Sequence, residues 1–294
     1  MRIFITGAEG FIGRHALIRL SADGHRLTAA IRSAQEERRL KALGIETVRG
    51  NLNEVIDLNT ALSGHDAVVH CAAHVTLWGS PALFQGINIG LTKKLIEAAT
   101  ATGIKRFIHM STASVVLNER CALYDAQEQM PLCQRVEMRF AHSKAQAERI
   151  VISANTAQLA TVILRPAFVW GLGDLVDRQI GPAANQGKFG WFNQGEYLYS
   201  SCYIGNLCDA ICLALQSSAS AEAFFIADNE IMSFREWMTQ RLEAGRYRVP
   251  TFSIPRTVAW PLAPWVGILR RSKPPGALCP WGSTAWAGAR HWLC

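Results

Sequence analysis

The sequence has no uninterrupted apolar run of the roughly 18 residues or more that a membrane-spanning helix needs. Its start, MRIFITGAEG, places no basic segment ahead of a long apolar one, so no secretory signal is expected. The eight cysteines form no CxxC pair and no regular framework. Several sit in apolar surroundings such as VVHCAAH and NLCDAICLAL, which reads as reduced, buried thiols of a cytoplasmic protein. Cys208 and Cys212 lie one helical turn apart without a histidine or third thiolate to complete a zinc set. His70 and His74 have i, i+4 spacing but lack the carboxylate of an HExxH helix, so no metal is expected. No internal repeat or low-complexity tract interrupts the main body of the chain.

Charge is also sparse, at 18% of residues, and acids (23) are fewer than Lys plus Arg (30), leaving a net +7. The basic residues are scattered, and the densest group, EERRLK at Glu36–Lys41, is mixed with acids. That pattern fits affinity for a small anion such as a phosphorylated cofactor, and no nucleic-acid partner is expected. With 49% apolar residues in 294, there is room for one large α/β domain with a small appendage.

Short apolar runs alternate with segments of helical period, the pattern of βαβ units and a doubly wound parallel sheet. Strands are expected at Arg2–Thr6, Arg26–Arg32, Glu46–Arg49, Ala67–His70, Arg106–Met110 and Thr161–Arg165. Helices are expected at Phe11–Ala22, Ala34–Leu43, Pro81–Thr102 and Met138–Asn155. After Pro166 glycine and proline become frequent, and helices follow at Ile204–Gln216 and Phe234–Ala244. This division predicts a nucleotide-binding core over 1–166 and a smaller C-terminal substrate lobe over 167–275 with returns to the core. The remainder, Gly276–Cys294, carries three Trp and two Cys without any period. It reads as a disordered tail or as a frameshifted or truncated C-terminus.

TGAEGFIG, Thr6–Gly13, follows the first strand and opens a helix. Gly7, Gly10 and Gly13 allow a tight turn and a close backbone approach to a pyrophosphate, with Phe11 and Ile12 starting a helix whose free N–H groups favour an anion. A dinucleotide is therefore the expected cofactor. Its 2′ position is read at the end of the second strand, where LTAAIRS offers no acid and ends in Arg32, so NADP is expected over NAD.

These residues resemble the extended short-chain dehydrogenase/reductase family, in the branch of 3β-hydroxysteroid dehydrogenases, dihydroflavonol reductases and nucleotide-sugar epimerases. TGAEGFIG, VVHCAAH, NIGLTKKLIEAA, HMSTASVV, HSKAQAE, LRPAFVWGLGD and YIGNLCDAICLAL carry the likeness in order, over about nine tenths of the chain. The resemblance implies a Rossmann fold, a small-molecule substrate and a catalytic Tyr and Lys four residues apart, working with a Ser or Thr at the end of the fifth strand. It puts Thr112 on the Ser/Thr position, with Ser111 as the neighbouring alternative, and Lys144 on the lysine. It implies cofactor contacts from Asn51 and Leu52, from Cys71, Ala72 and Ala73, and from Pro166, Ala167 and Val169 along LRPAFVWG. Asn51 replaces the usual acid, and Asn88 falls on a structural asparagine. A homodimer through the helices at Pro81–Thr102 and Met138–Asn155 is also implied.

The tyrosine position is Phe140, which has no ionisable group. Loss of a general acid costs about 10²–10⁴ in rate. His142 points away from Phe140 on a helix, and Glu137 and Tyr124 are the other candidate substitutes. The apolar stretch Ile254–Leu269 reads as pocket lining or as membrane-surface contact. Phe168, Trp170, Trp191, Phe192 and Trp260 offer rings for stacking. Two functions fit these residues. One is an oxidoreductase for a hydroxyl or carbonyl of an apolar, steroid-like or phenolic molecule, slowed by Phe140, with a nucleotide sugar as the other substrate of the same class. The second is a catalytically silent dinucleotide-binding sensor or scaffold.

Overall fold

Seven strands pair in parallel throughout: β1 (Arg2–Thr6), β2 (Arg26–Ile31), β3 (Glu46–Arg49), β4 (Ala67–His70), β5 (Arg106–Met110), β6 (Ala160–Pro166) and β7 (Glu222–Ile226). Their order in the sheet is 7-6-5-4-1-2-3. The doubly wound parallel sheet is thus present, with the strand order that defines the Rossmann fold and its switch point between β1 and β4. The computed structural model describes residues 1–54, 56–76, 80–118, 123–255 and 257. The expected tail at 276–294 and most of Ile254–Leu269, with Trp260, lie outside the described residues.

Alternation along each strand builds two cores. Ile3, Ile5, Ala29, Ile31, Val69, Ile108, Val162 and Leu164 face one side of the sheet, and Phe4, Ala30, Val68, Phe107 and Ile163 face the other. Because both faces are covered, every position of β1, β4 and β5 except the leading Arg2 and Arg106 is buried, and apart from Thr6, His70 and His109 near the carboxyl ends those positions are apolar. Helix α1 (Phe11–Ala22) and a later helix, Ile204–Gln216, cover the first face through Leu17, Leu20, Leu207 and Ile211. The second face packs α3 (Leu58–Leu62), α4 (Leu91–Ala101) and α5 (Arg139–Ser153) through Leu62, Leu95, Ala99 and Val151. Between α1 and α3, α2 (Ala34–Ala42) links β2 to β3, with Ser33 as its side-chain cap. The helix Ile204–Gln216 is α6, and Phe234–Ala244, opened by a capping box of Ser233 and Glu236, is α7.

Differences from expectation are small and local. β2 stops at Ile31, because Ser33 already caps α2. The continuous helix expected over Pro81–Thr102 is a short turn at Pro81–Leu83, a π-helical segment at Phe84–Gly90 and then α4. α3, capped by Asp57, and β7 at the sheet edge were not expected from periodicity.

The chain forms two compact units. The first comprises Met1–Asn118, Ala126–Val169 and Cys202–Ala227; the second takes residues 123–125, Trp170–Ser201 and the described residues from Asp228 onward. Within the second, Trp170 and Trp237 meet edge to face at 6.3 Å, Tyr199 and Trp237 lie 5.2 Å apart, and Tyr197 stacks on Phe234 at 5.3 Å. Trp191, with its Nε1 donating to the Pro250 carbonyl, is fully buried, so this ring serves packing inside its own unit. In the same unit Arg241 pairs with Asp174 and Asp177.

Candidate active site

The glycine loop leaves β1 at Thr6 and enters α1 at Phe11, with Gly7 at φ +70°. A Cβ on Gly7 would lie 2.6 Å from the Ala72 nitrogen and 2.7 Å from the Cys71 carbonyl carbon; one on Gly13 would lie 2.2 Å from the Gly7 oxygen. Glycine is therefore required at both positions by close backbone approach. These contacts bring together two sets read separately in the sequence, the loop and Cys71–Ala72 after β4. The α1 N-terminus, capped by Gly10 with no side chain on its free N–H groups, is open to an anion. Such a loop and helix mouth fit a dinucleotide pyrophosphate.

Around this loop the other expected cofactor residues are placed as follows. Arg32 is 83% exposed in its side chain and pairs with Glu9 at 3.5 Å. Asn51 accepts the Asn53 N–H at 3.1 Å, and Leu52 packs half-buried on the second core. Ala73 is half-buried beside Ala72. At the end of β6, Pro166 is buried, Ala167 donates its N–H to Ile226, and Val169 packs on the first core.

A polar chain runs under the strand ends. Ala72 N–H donates to Thr6 Oγ1, which lies 2.7 Å from His70 Nδ1; His70 Nε2 lies 2.9 Å from Thr92 Oγ1, which donates to the Asn88 carbonyl. Burial, with the Lys144 charge second, pushes His70 down to about 3, so its ring is neutral. Since the Thr92 proton is spent on Asn88, His70 carries its own proton on Nε2 and accepts from Thr6 at Nδ1. His70 is therefore a bonded core residue. His74 bonds Thr76 through its ring, and among the described residues no group of His, Cys, Asp or Glu has metal-binding geometry.

Asn88 sits in the π-helical segment, fully buried. Its side-chain oxygen accepts the His74 N–H at 2.7 Å, and its nitrogen donates to Ser143 Oγ at 2.8 Å. Ser143 in turn donates to the Phe140 carbonyl. The chain that begins at Thr6 thus ends on the backbone of the expected catalytic position.

Helix α5 presents Phe140 half-buried and Lys144 buried one turn later. The Lys144 ammonium donates to the Met110 carbonyl at 2.6 Å and lies 3.2 Å from His109 Nε2. Burial lowers its pKa to about 8, against the opposing pull of Glu148. His109 is held neutral, well below its ordinary value, by burial and by the Lys144 charge. With Nε2 accepting from the ammonium, its proton is on Nδ1, a buried atom without a partner. Lys144 is in this way fixed to the carboxyl end of β5, two residues before Thr112. Thr112 is half-buried, and its hydroxyl caps Ser114 at 3.3 Å.

Ser111 faces elsewhere. Its hydroxyl donates to Glu148, which is fully buried and forked by Arg165 at 2.7 Å; Arg165 also donates to the Glu128 carbonyl and lies over the Phe225 ring. Burial pushes the Cys71 thiol up to about 12, so it stays protonated. Of the candidate substitutes for a tyrosine, Glu137 is tied to Arg135 and half-exposed, His142 lies 3.5 Å from Gln146, and Tyr124 is 61% exposed in the other unit. Sequence reading passed over Glu9, Thr92, His109 and Glu148. Of these Glu148 carried a signal, standing four residues after Lys144 on the same helix face.

A family model described as the 3-beta hydroxysteroid dehydrogenase/isomerase family matches residues 4–251. The chain belongs to that family. Through it the chain is an extended short-chain dehydrogenase/reductase, an NAD(P)-binding oxidoreductase by class. Among curated relatives, a 4-hydroxy-2-methyl-3-oxo-4-farnesyl-3,4-dihydroquinoline-1-oxide ketoreductase of Stigmatella aurantiaca is 32% identical, covering 95% of this chain and 84% of the relative. A 2-alkyl-3-oxoalkanoate reductase of Stenotrophomonas maltophilia is 34% identical over 83% of this chain and 76% of its own length. A UDP-glucuronic acid 4-epimerase of Bacillus cereus, solved in complex with NAD, superposes with a TM-score of 0.72 at 21% identity, covering 87% of this chain and 88% of the epimerase; at that identity the likeness is one of fold. Among the described residues of this family member, no helix is long and apolar enough to cross a membrane.

Proposed function

We propose that the chain is an NADP(H)-dependent reductase of a ketone on a small, largely apolar molecule. The observation that carries this reading is Lys144, whose buried ammonium is fixed to the Met110 carbonyl on the helix face it shares with position 140. Burying an ammonium is costly unless it is well bonded, and a site with no polar ligand has no use for one beside the glycine loop's strand ends. The substrate class is supported by the two relatives above, whose names both carry a 3-oxo group. NADP is supported by Arg32 and by the lack of an acid at the end of β2. A cytoplasmic setting is supported by the free thiols Cys71, Cys133, Cys202, Cys208 and Cys212, and a homodimer by the resemblance alone.

When bound, the reduced nicotinamide supplies the hydride. The chain's residues do the rest. Gly7, Gly10 and Gly13 with the α1 N-terminus would hold the pyrophosphate, Cys71–Ala73 and Pro166–Val169 would line the nicotinamide end of the dinucleotide, and Lys144 would orient a ribose hydroxyl. Thr112 offers a hydroxyl to the substrate oxygen. With phenylalanine at 140, the Lys144 ammonium and the Thr112 hydroxyl are the remaining proton-bearing groups of the set, so turnover is slow. Phe140 also favours a second reading, in which the dinucleotide is bound as a ligand without turnover.

The test is calorimetry with NADPH and NADH, followed by a reductase assay on 3-oxo substrates with the natural chain and Phe140→Tyr. Binding together with a rate gain of about 10²–10⁴ in the variant is the expected result. Binding without a gain for any ketone would leave the silent-ligand reading, and absence of binding would end both.

A further inference from the structure

The turn between β2 and α2 holds an anion of the protein's own. Glu9, inside the glycine loop, accepts the Ser33 N–H at 2.8 Å and pairs with Arg32 Nε at 3.5 Å. Ser33 is the cap of α2, so the N–H that Glu9 takes lies at the mouth of that helix. Arg14, one turn into α1, keeps a buried Nε with no partner, and its positive charge is felt by Glu36 in the first turn of α2. The corner therefore contains cations suited to a phosphate, and the most exposed of them is occupied by a carboxylate.

We propose that Glu9 is the specificity-determining residue of the dinucleotide site, holding Arg32 and the Ser33 N–H against a 2′-phosphate while accepting a 2′-hydroxyl. The inference rests on the dinucleotide reading above and refines it. A phosphate monoester carries about −1.5 to −2 charges near neutral pH. Placed beside Arg32 it meets the Glu9 carboxylate as a like charge and competes with it for the same guanidinium and the same N–H. A 2′-hydroxyl is neutral and has a proton to give, so the carboxylate is a partner for it. Arg32 pulls the site toward NADP and Glu9 pulls it back, which makes the natural preference for NADP modest. Glu9 contributes from the loop that holds the pyrophosphate, while Arg32 and Ser33 come from the end of β2.

The variant that isolates this effect is Glu9→Gln, which keeps the shape and an acceptor for Ser33 but removes the charge. Because the Glu9 side chain is partly exposed, at 23%, the change leaves the core untouched. The full chain, Glu9→Gln and Glu9→Gln/Arg32→Ala are titrated by calorimetry with NADP⁺ and NAD⁺ at neutral pH. In Glu9→Gln, NADP⁺ binding tightens by on the order of tenfold or more, the value of one charge-assisted contact, while NAD⁺ binding is unchanged or weaker. Arg32→Ala in that background removes the gain. An unchanged ratio of NADP⁺ to NAD⁺ affinity in Glu9→Gln, or equal tightening of both, overturns the role of Glu9 and leaves the dinucleotide reading standing. If neither dinucleotide binds any of the three proteins, that reading falls and the inference with it.

Discussion

The side-chain nitrogen of Asn88 donates to Ser143 Oγ at 2.8 Å, joining the π-helical segment to α5 at a point where Ser143 also holds the Phe140 carbonyl. One buried amide thus fixes three backbones, since its oxygen also takes the His74 N–H. Asn88→Ala leaves a buried N–H and a serine without their partner. The expected loss is roughly 1–3 kcal/mol of stability, read as a lower urea midpoint. Asn88→Asp keeps the acceptor for His74 but buries a carboxylate that cannot donate to Ser143 or to the His74 carbonyl, and is expected to lose at least as much near neutral pH and less once the carboxyl is protonated. A loss in Asn88→Asp that does not shrink on acidification would show that the donor role of the amide is not what matters.

A second expectation concerns the buried pair of Arg165 and Glu148, exposed by only 3% and 0%. Removing one member strands a charge in the interior, so Arg165→Met is expected to cost about 3–5 kcal/mol. Arg165→Met/Glu148→Leu removes both charges and is expected to be more stable than the single variant. Denaturant melts of the natural chain, Arg165→Met, Glu148→Leu and the double variant give the comparison, and a double variant as weak as the sum of its singles would refute the pairing as the source of the loss.

Lys144 gives a pH signature. Burial is the main cause that brings its pKa in the folded chain down to about 8, from the ordinary lysine value of 10.5. Between those values the unfolded chain binds more protons than the folded one, so this residue's contribution to stability rises as pH rises. The penalty for holding the ammonium is fully present below about pH 8 and is relieved on the way to 10.5. Compared with Lys144→Met, the natural chain therefore gains on the order of 3 kcal/mol across that interval. Paired urea melts at pH 7.5, 9 and 10.5 (chosen to bracket about two decades or more of proton activity) check it; a flat difference would mean that Lys144 titrates near its ordinary value.

How far the sequence could be read follows from the same residues. β1, β4, β5 and α1 were legible because both-face burial leaves short apolar runs and because the glycines at 7, 10 and 13 stand between a strand and a helix. The doubly wound parallel sheet was legible through the same βαβ rhythm, whereas the order of its strands comes from the fold. By contrast, β7 (Glu222–Ile226) alternates half-buried and exposed positions at the sheet edge and carries no strong period. The π-helical segment at Phe84–Gly90 carries no local signal, and the partners of Asn88 within it, His74 and Ser143, are distant in sequence. Thr112 and Ser111 look equivalent as letters. Only the fold shows that Ser111 is spent on Glu148. Glu9 was hidden for the same reason, because its partners Arg32 and Ser33 come from the end of another strand.

The glycine loop offers a sharper test than its motif, because the glycines differ in what surrounds them. A Cβ on Gly13 would stand 2.2 Å from the Gly7 oxygen and 2.7 Å from the Gly7 carbon, both backbone atoms that cannot move without shifting the loop. Gly86, in the π-helical segment, has nothing within 4 Å and no positive φ. Gly13→Ala is therefore expected to weaken dinucleotide binding by roughly tenfold or more, about 1.4 kcal/mol at least, and to cost a further 1–3 kcal/mol or so of stability through overpacking. Gly86→Ala is expected to leave binding unchanged and to stabilise the helix by about 0.4–1 kcal/mol, since it removes freedom only from the unfolded chain. Calorimetry and urea melts on the two variants separate these outcomes. If Gly13→Ala bound the dinucleotide as tightly as the natural chain, the close approach of Gly13 to Gly7 would not be what shapes the pyrophosphate cradle.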